Sequence, residues 1–223
     1  MDLRDSCCTL HPMPKTMSKL FLDRVLTPER KQTLTKLNSF FTQFTLCGGT
    51  GLALQWGHRI SNDFDLFTPS PLPRFFSQKV AKVVDIASIV VDTSDELTLF
   101  TKDSIKMTFL VYPFASIEPD VFIDTIRLGS IADLVANKCY TLGRRVEIRD
   151  YIDVYESLKH QSLTTSIEQA KKKYGNLFDE KLFLGQLGYF DGLQYDDPTF
   201  SDYGTTQSAF ESGLTKAISK YLP

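Results

Sequence analysis

Apolar positions along this chain fall into two spacings, and the order in which the spacings alternate sketches the fold. Leu34, Leu37, Phe40 and Phe41 form a stripe at three- and four-residue steps. Thr27 and Pro28 ahead of it are a helix start, a capping threonine and then a proline where no amide bond is needed. The apolar run from Phe41 to Cys47 reads as a buried strand and Gly48-Gly49 as a tight turn, with a helix expected from near Thr50 until Gly57 ends it. SNDFDLF then alternates with period two, so Asp63 and Asp65 share one face while Phe64 and Leu66 take the other. The prolines of TPSPLPR break the chain before a helix near Phe75 to Val84. ASIVVDT, ELTLF and IKMTFLVYPF follow as strands that extend the sheet begun by the acid strand.

From Ser130 the pattern is helical, and Ser130 with Asp133 reads as a capping box. Lys138 falls on the same stripe as Ile131, Leu134, Val135 and Leu142 and therefore points inward. An inward ammonium has to snorkel to water, pair with a carboxylate or meet a ligand phosphate. Arg149-Asp150-Tyr151-Ile152-Asp153 opens the next helix, with Asp150 near its N-terminus and Arg149 and Asp153 spaced for an i, i+4 pair. Beyond Leu163 the chain reads as helices, SIEQAKKKY, DEKLFLGQLGYF and SAFESGLTKAISKYL, with DGLQYDDPTFSD as a loop. The class is α+β: a mixed sheet flanked by helices, with a helical C-terminal part.

With 223 residues, of which 42% are hydrophobic and 23% charged, the chain can bury a full core. It contains no apolar run of membrane-spanning length, and MDLRDSCCTLHPMPK lacks the apolar core of a signal peptide, so a cytoplasmic location is expected. Residues 1–17, with Pro12 and Pro14, are expected to be disordered. The four cysteines do not form a disulfide framework, and Cys7, Cys8 and His11 lack a fourth ligand at zinc spacing. A net charge of −2 excludes a basic coat for indiscriminate nucleic-acid binding. Arg144, Arg145 and Arg149 cluster near the acid pair in the scheme above, whereas Lys171, Lys172 and Lys173 read as a solvated face.

Two adjacent carboxylates repel, which is tolerable in water or around a cation, and hard oxygen ligands of this kind suit Mg²⁺. A helix starting just past Gly48-Gly49 would aim free N–H groups at an anion. Turn, helix and acid strand together are the parts needed to hold a triphosphate and its magnesium ions.

The same residues carry a resemblance. GGTGLALQWGHRISNDFDLF closely resembles the GGT-x-LAL-x-x-GHR-x-S-x-DFDLF signature of the AbiEii/AbiGii-type nucleotidyltransferases, in the DNA polymerase beta-like superfamily. RLGSIADLVANKCYTLGRRVEIRDYIDVYESL resembles the family's later block, a lysine helix followed by R-D-x-x-D-L, so the likeness spans roughly residues 30–160. It implies a nucleotidyltransferase-like domain over residues 1–162 and a helical region over 163–223. The implied activity is transfer of a nucleoside monophosphate from an NTP, with Mg²⁺ or Mn²⁺, to an acceptor such as a tRNA end or a protein. The implied setting is a toxin-antitoxin or phage-defence system, with a cognate antitoxin as partner.

Under that resemblance Asp63 and Asp65 hold the metal, Gly48, Gly49 and Thr50 cradle phosphates, and Ser61 contacts the terminal phosphates. Lys138 neutralises the leaving pyrophosphate, Arg59 assists or anchors the turn, and Asp150 stands beside the lysine with Asp153 as a lesser helper. His58 reads as a structural loop residue with no partner evident in the sequence. One departure opens a second reading. The superfamily carries a third metal-binding carboxylate on a later strand, and the matching face here is Lys106, Thr108 and Leu110, without an acid. Asp92, Asp95 or Asp103 would substitute only if the strands fold back to the pair. The alternative is therefore an NTP- or partner-binding module of the same fold that has lost catalysis. GGTG is not G-x-G-x-x-G, which argues against a dinucleotide-binding turn.

Overall fold

A computed structural model describes residues 20–222; the expectations for residues 1–17 and for Cys7, Cys8 and His11 lie outside the described residues. In chain order the elements are α1 (Leu22–Val25), α2 (Pro28–Lys36), β1 (Thr45–Leu46), α3 (Gly48–Trp56), β2 (Phe64–Thr68), α4 (Phe76–Ala81), β3 (Ile86–Asp92), β4 (Glu96–Thr101) and β5 (Lys106–Val111). They continue with β6 (Val121–Ile123), β7 (Ile126–Leu128), α5 (Ile131–Leu142), α6 (Ile148–Ser157), α7 (Leu163–Tyr174), α8 (Glu180–Leu187), α9 (Pro198–Tyr203) and α10 (Gln207–Tyr221). The strands form one mixed sheet in the order β3-β4-β5-β2-β1-β7-β6. β2 runs parallel to β5 and antiparallel to β1, and β1 runs parallel to β7.

The period-two pattern sets the two faces of the sheet. On β2, Phe64 and Leu66 are fully buried while Asp65 and Phe67 stay half-buried; on β5, Met107 and Phe109 are buried while Lys106, Thr108 and Leu110 are half-exposed. The buried face packs against an aromatic cluster in which the Phe44 and Phe76 rings lie 5.4 Å apart and the Phe76 and Phe109 rings 5.0 Å apart, edge to face. Burying each such ring contributes about 1.5–3 kcal/mol. On the opposite face Phe67 packs against the apolar cluster to which α3, α5 and α6 contribute Leu52, Leu134 and Ile152.

Several local expectations change once tertiary contacts enter. Only Thr45 and Leu46 of the Phe41–Cys47 run form a strand, because Phe41 and Phe44 leave a 3₁₀ turn (Leu37–Phe40) to fill the core. Helix α3 starts at Gly48 rather than near Thr50, with Gly48 at a φ of +59° that a residue with a side chain rarely adopts. Helix α4 is shorter than the Phe75–Val84 expectation and begins at Phe76. The hairpin of β6 and β7 has no counterpart in the periodicity, and β7 seats itself beside the short β1. The DGLQYDDPTFSD loop contains α9, which Asp197 caps by accepting from the Thr199 amide at 2.7 Å, with Pro198 at the first helical position.

Ser130 caps α5 as expected, accepting from the Asp133 amide at 3.1 Å. The Asp133 carboxylate takes on a wider role than a capping box. It accepts from the Ser130 hydroxyl at 2.6 Å, from the Ile117 and Glu118 amides at 3.0 and 3.2 Å, and from Lys173 at 2.6 Å. Lys173 is thus buried in an ion pair rather than solvated with its neighbours, while Lys171 pairs with Glu180. A second apolar cluster, including Leu134, Ile152, Phe183, Phe210 and Leu214, joins α5 and α6 to the C-terminal helices.

Candidate functional site

Helix α3 and strand β2 meet at two glycines. A Cβ on Gly48 would stand 2.1 Å from Asp65 Oδ2, and one on Gly49 would stand 2.1 Å from Arg59 Nη2. Glycine is required at both positions so that these two side chains can pass the helix start. The first backbone bond of α3 runs from the Gly51 amide to the Cys47 carbonyl at 2.9 Å, so the amides of Gly48, Gly49 and Thr50 precede the helical ladder beside Asp65. Thr50 and Ser61 are buried and lock the turn: Thr50 donates to the Asp63 carbonyl, and the Ser61 hydroxyl lies 2.6 Å from Thr50 Oγ1. Asp63 sits immediately before β2, with Arg149 Nη1 3.6 Å from its carboxylate.

Behind the acid pair runs a chain of alternating charges. Arg145 Nε donates to Asp150 Oδ2 at 2.7 Å, and Lys138 Nζ lies 2.7 Å from both Asp150 Oδ1 and Asp153 Oδ2. Arg59 then grips Asp153 with two prongs, at 2.7 and 2.8 Å, and His58 Nε2 lies 2.7 Å from Asp153 Oδ1. Asp150 and Asp153 project from one face of α6 because they are three residues apart, and Lys138 reaches them from the inner stripe of α5. Lys138 therefore pairs with carboxylates rather than snorkelling to water. Two readings are corrected here: Arg149 faces Asp63 and Glu147 instead of forming an i, i+4 pair with Asp153, and His58 has a partner in Asp153. A buried lysine facing two acids spaced i, i+3 was the sequence signal for this cluster, since a buried charge needs partners.

The electrostatics separate the acids into two kinds. Burial raises Asp65 and the Asp63 charge beside it raises it further, so its carboxyl titrates above the ordinary carboxylate range despite Lys138, Lys106 and Arg145. Burial also works against Asp153, but Arg59 and Lys138 outweigh it and hold the carboxyl well below the ordinary range. The same opposition, with Lys138 and Arg145 as the cations, lowers Asp150. Burial disfavours the Lys138 ammonium, yet Asp153 and Asp150 raise its pKa. Asp150 and Asp153 are thus committed to protein cations, whereas Asp63 and Asp65 repel each other.

Strand β5 pairs Thr108 with Asp65 in register, so Thr108 occupies the neighbouring position on the same face. Asp92 lies on β3, the far edge strand, and pairs with Leu97. Among the described residues no group of three or more His, Cys, Asp or Glu side chains is arranged to hold a metal ion unaided. The Asp63–Asp65 pair nonetheless fits a hard divalent cation: both donors are carboxylates, and such an ion takes its remaining positions from water and phosphate oxygens.

A mixed sheet with a Gly-Gly helix start docked on an acid strand is a nucleotidyltransferase-like fold. The chain belongs to the AbiEii family, described as nucleotidyl transferase AbiEii toxin of type IV toxin-antitoxin systems, whose match runs over residues 32–221. It is 28% identical over 207 residues to an uncharacterized protein of Aquifex aeolicus (strain VF5), covering 89% of this chain and 98% of that one. Its fold is similar to that of MenT4, a nucleotidyltransferase toxin of Mycobacterium tuberculosis H37Rv, with a TM-score of 0.57 and 17% identity over 85% of this chain and 80% of that one. It is also similar to JHP933 from Helicobacter pylori, with a TM-score of 0.50 and 17% identity over 86% of this chain and 89% of that one. No described helix is long and apolar enough to cross a membrane.

Proposed function

We propose that this chain transfers a nucleoside monophosphate from an NTP to a hydroxyl of an acceptor, an RNA end or a protein, and releases pyrophosphate. The observation that carries the reading is the contact of Asp65 with Gly48: a carboxylate in a repelling pair lies directly against a helix start whose first amides precede the ladder. Asp63 and Asp65 would hold Mg²⁺ or Mn²⁺, which when bound supplies charge neutralisation at the phosphates and acidifies the attacking hydroxyl. The chain's own part is alignment and electrostatics. The amides of Gly48, Gly49 and Thr50 would bind phosphate oxygens. Ser61 would act chiefly through its bond to Thr50, keeping that turn in shape. Lys138, oriented by Asp150 and Asp153, would face the departing pyrophosphate, and Arg59 would hold Asp153 in place. The acceptor oxygen bonds to the α-phosphorus as the α–β bridge breaks, and the acceptor proton is released. The family description supports a toxin role, and a cognate antitoxin belongs to the same proposal.

The test is α-labelled NTP incubated with a mixed pool of tRNA and protein. Wild type should label the pool in a metal-dependent way, and Asp63→Asn with Asp65→Asn should not. The register of Thr108 beside Asp65 favours the second reading, a binding module without catalysis. Metal-dependent NTP binding that is lost in the double variant, with no transfer in wild type under any metal, would select it.

A further inference from the structure

Lys106 lies on the same face of β5 as Thr108, two residues earlier, and the pairing of Phe64 with Met107 puts it level with Asp63. Its cross-strand neighbour on the other side is Phe100, which offers no charge. Among the described residues the Lys106 side chain makes no hydrogen bond or ion pair, whereas Lys138, Arg145 and Arg59 are each tied to Asp150 or Asp153 and Arg149 lies 3.6 Å from Asp63. It is half-exposed, and its charge acts on Asp65. A lysine left unpaired beside two carboxylates is itself a cation available to that site.

We propose that the Lys106 ammonium supplies the positive charge on the β5 side of the Asp63–Asp65 pair, so that the site takes one divalent ion and not two. The inference rests on the reading of the acid pair as a metal site and deepens it. A second divalent ion on that side would need a further acidic ligand, and the position in register with Asp65 carries the neutral Thr108. It would also have to approach an ammonium with the same sign of charge, and with only two carboxylates present nothing compensates that repulsion. Lys106 and a third carboxylate are thus alternative solutions to one electrostatic problem. Lys106 is a positioning residue here: it sets the charge balance at the pair, and the groups that would touch phosphate remain those named above.

The experiment is titration of the full chain with Mn²⁺ alone, counting bound ions by calorimetry and by electron paramagnetic resonance. Wild type should bind one ion, lost in Asp63→Asn with Asp65→Asn. Lys106→Met should still bind one ion, roughly tenfold more tightly because a like charge has gone. Lys106→Met combined with Thr108→Asp should bind two. Lys106→Gln, which keeps a polar chain, serves in its place if the methionine variant does not fold. Two ions in wild type, or an unchanged first-site affinity in the Lys106 variant, would overturn the inference and leave the metal reading of the pair standing. No Mn²⁺ bound by wild type would remove both.

Discussion

Arg59 and Asp153, 94 residues apart in sequence, meet in a buried two-pronged ion pair that ties the turn after α3 to helix α6. Lys138 and His58 converge on the same carboxylate, so Asp153 is shared by three side chains, with Asp150 taking the other side of the lysine.

Loss of that carboxylate should be far more damaging than loss of the lysine. Asp153→Ala leaves Arg59 and Lys138 without their shared buried partner, and breaking such a pair costs about 3–5 kcal/mol. Lys138→Met leaves Asp150 with Arg145 and Asp153 with Arg59, so it should cost much less stability while weakening NTP binding sharply. Urea unfolding of both variants, with calorimetry of NTP binding, checks the order. Equal destabilisation, or a Lys138→Met variant with unchanged NTP affinity, would assign the lysine a purely structural role.

Acid should unfold the protein through these carboxylates. Asp133, Asp150 and Asp153 all titrate below the ordinary range in the fold, so the stability they contribute is present above the unfolded carboxyl value of about 3.9 and is lost as pH falls toward their folded values. Asp65 has the opposite sign: its raised carboxyl favours the fold at low pH, and that contribution fades as pH rises through its folded value. With the three lowered groups dominant, the urea midpoint should stay nearly level from neutrality to about pH 4 and fall steeply below it. A midpoint that rises on acidification below pH 4 would contradict the sign.

Gly48→Ala should act on the acid pair specifically. Its Cβ would meet Asp65 Oδ2 at 2.1 Å, and the φ of +59° adds about 1–2 kcal/mol of backbone strain. Gly204→Ala is the control, since it shares a positive φ but has nothing within 4 Å. Gly48→Ala should lose at least as much stability as Gly204→Ala, but only Gly48→Ala should abolish Mn²⁺ binding. Retained Mn²⁺ binding in Gly48→Ala would show that Asp65 does not need its present position.

The Asp133 hub offers a double-variant test. Asp133→Ala strands Lys173 and frees the Ile117 and Glu118 amides, which should cost about 3 kcal/mol. Adding Lys173→Met removes the stranded charge, so the pair should cost less than the sum of the single changes. Additive losses in thermal unfolding would mean that Lys173 reaches water when Asp133 is gone.

What the sequence settles by itself is whatever depends on a few neighbouring residues. Pro28 at the first position opens α2, although Thr27 before it makes no side-chain cap bond, Ser130 caps α5, Gly57 ends α3 in the left-handed conformation, and the alternation of Phe64-Asp65-Leu66 divides the faces of β2, because caps, φ preferences and periodicity act over a single turn or strand. Family membership was legible for the same reason, being written in two short continuous blocks. The remainder depends on parts of the chain that meet only in space. The short β1 is held between β2 and β7, and it could not be told from other apolar residues that fill the core. The shared partner of His58 and Arg59 comes from α6, a distant segment, and the space beside Gly48 and Gly49 is filled by side chains from Asp65 and Arg59. Those pairings follow from which buried charges come within reach once the sheet and helices have packed, and sequence spacing does not encode that distance.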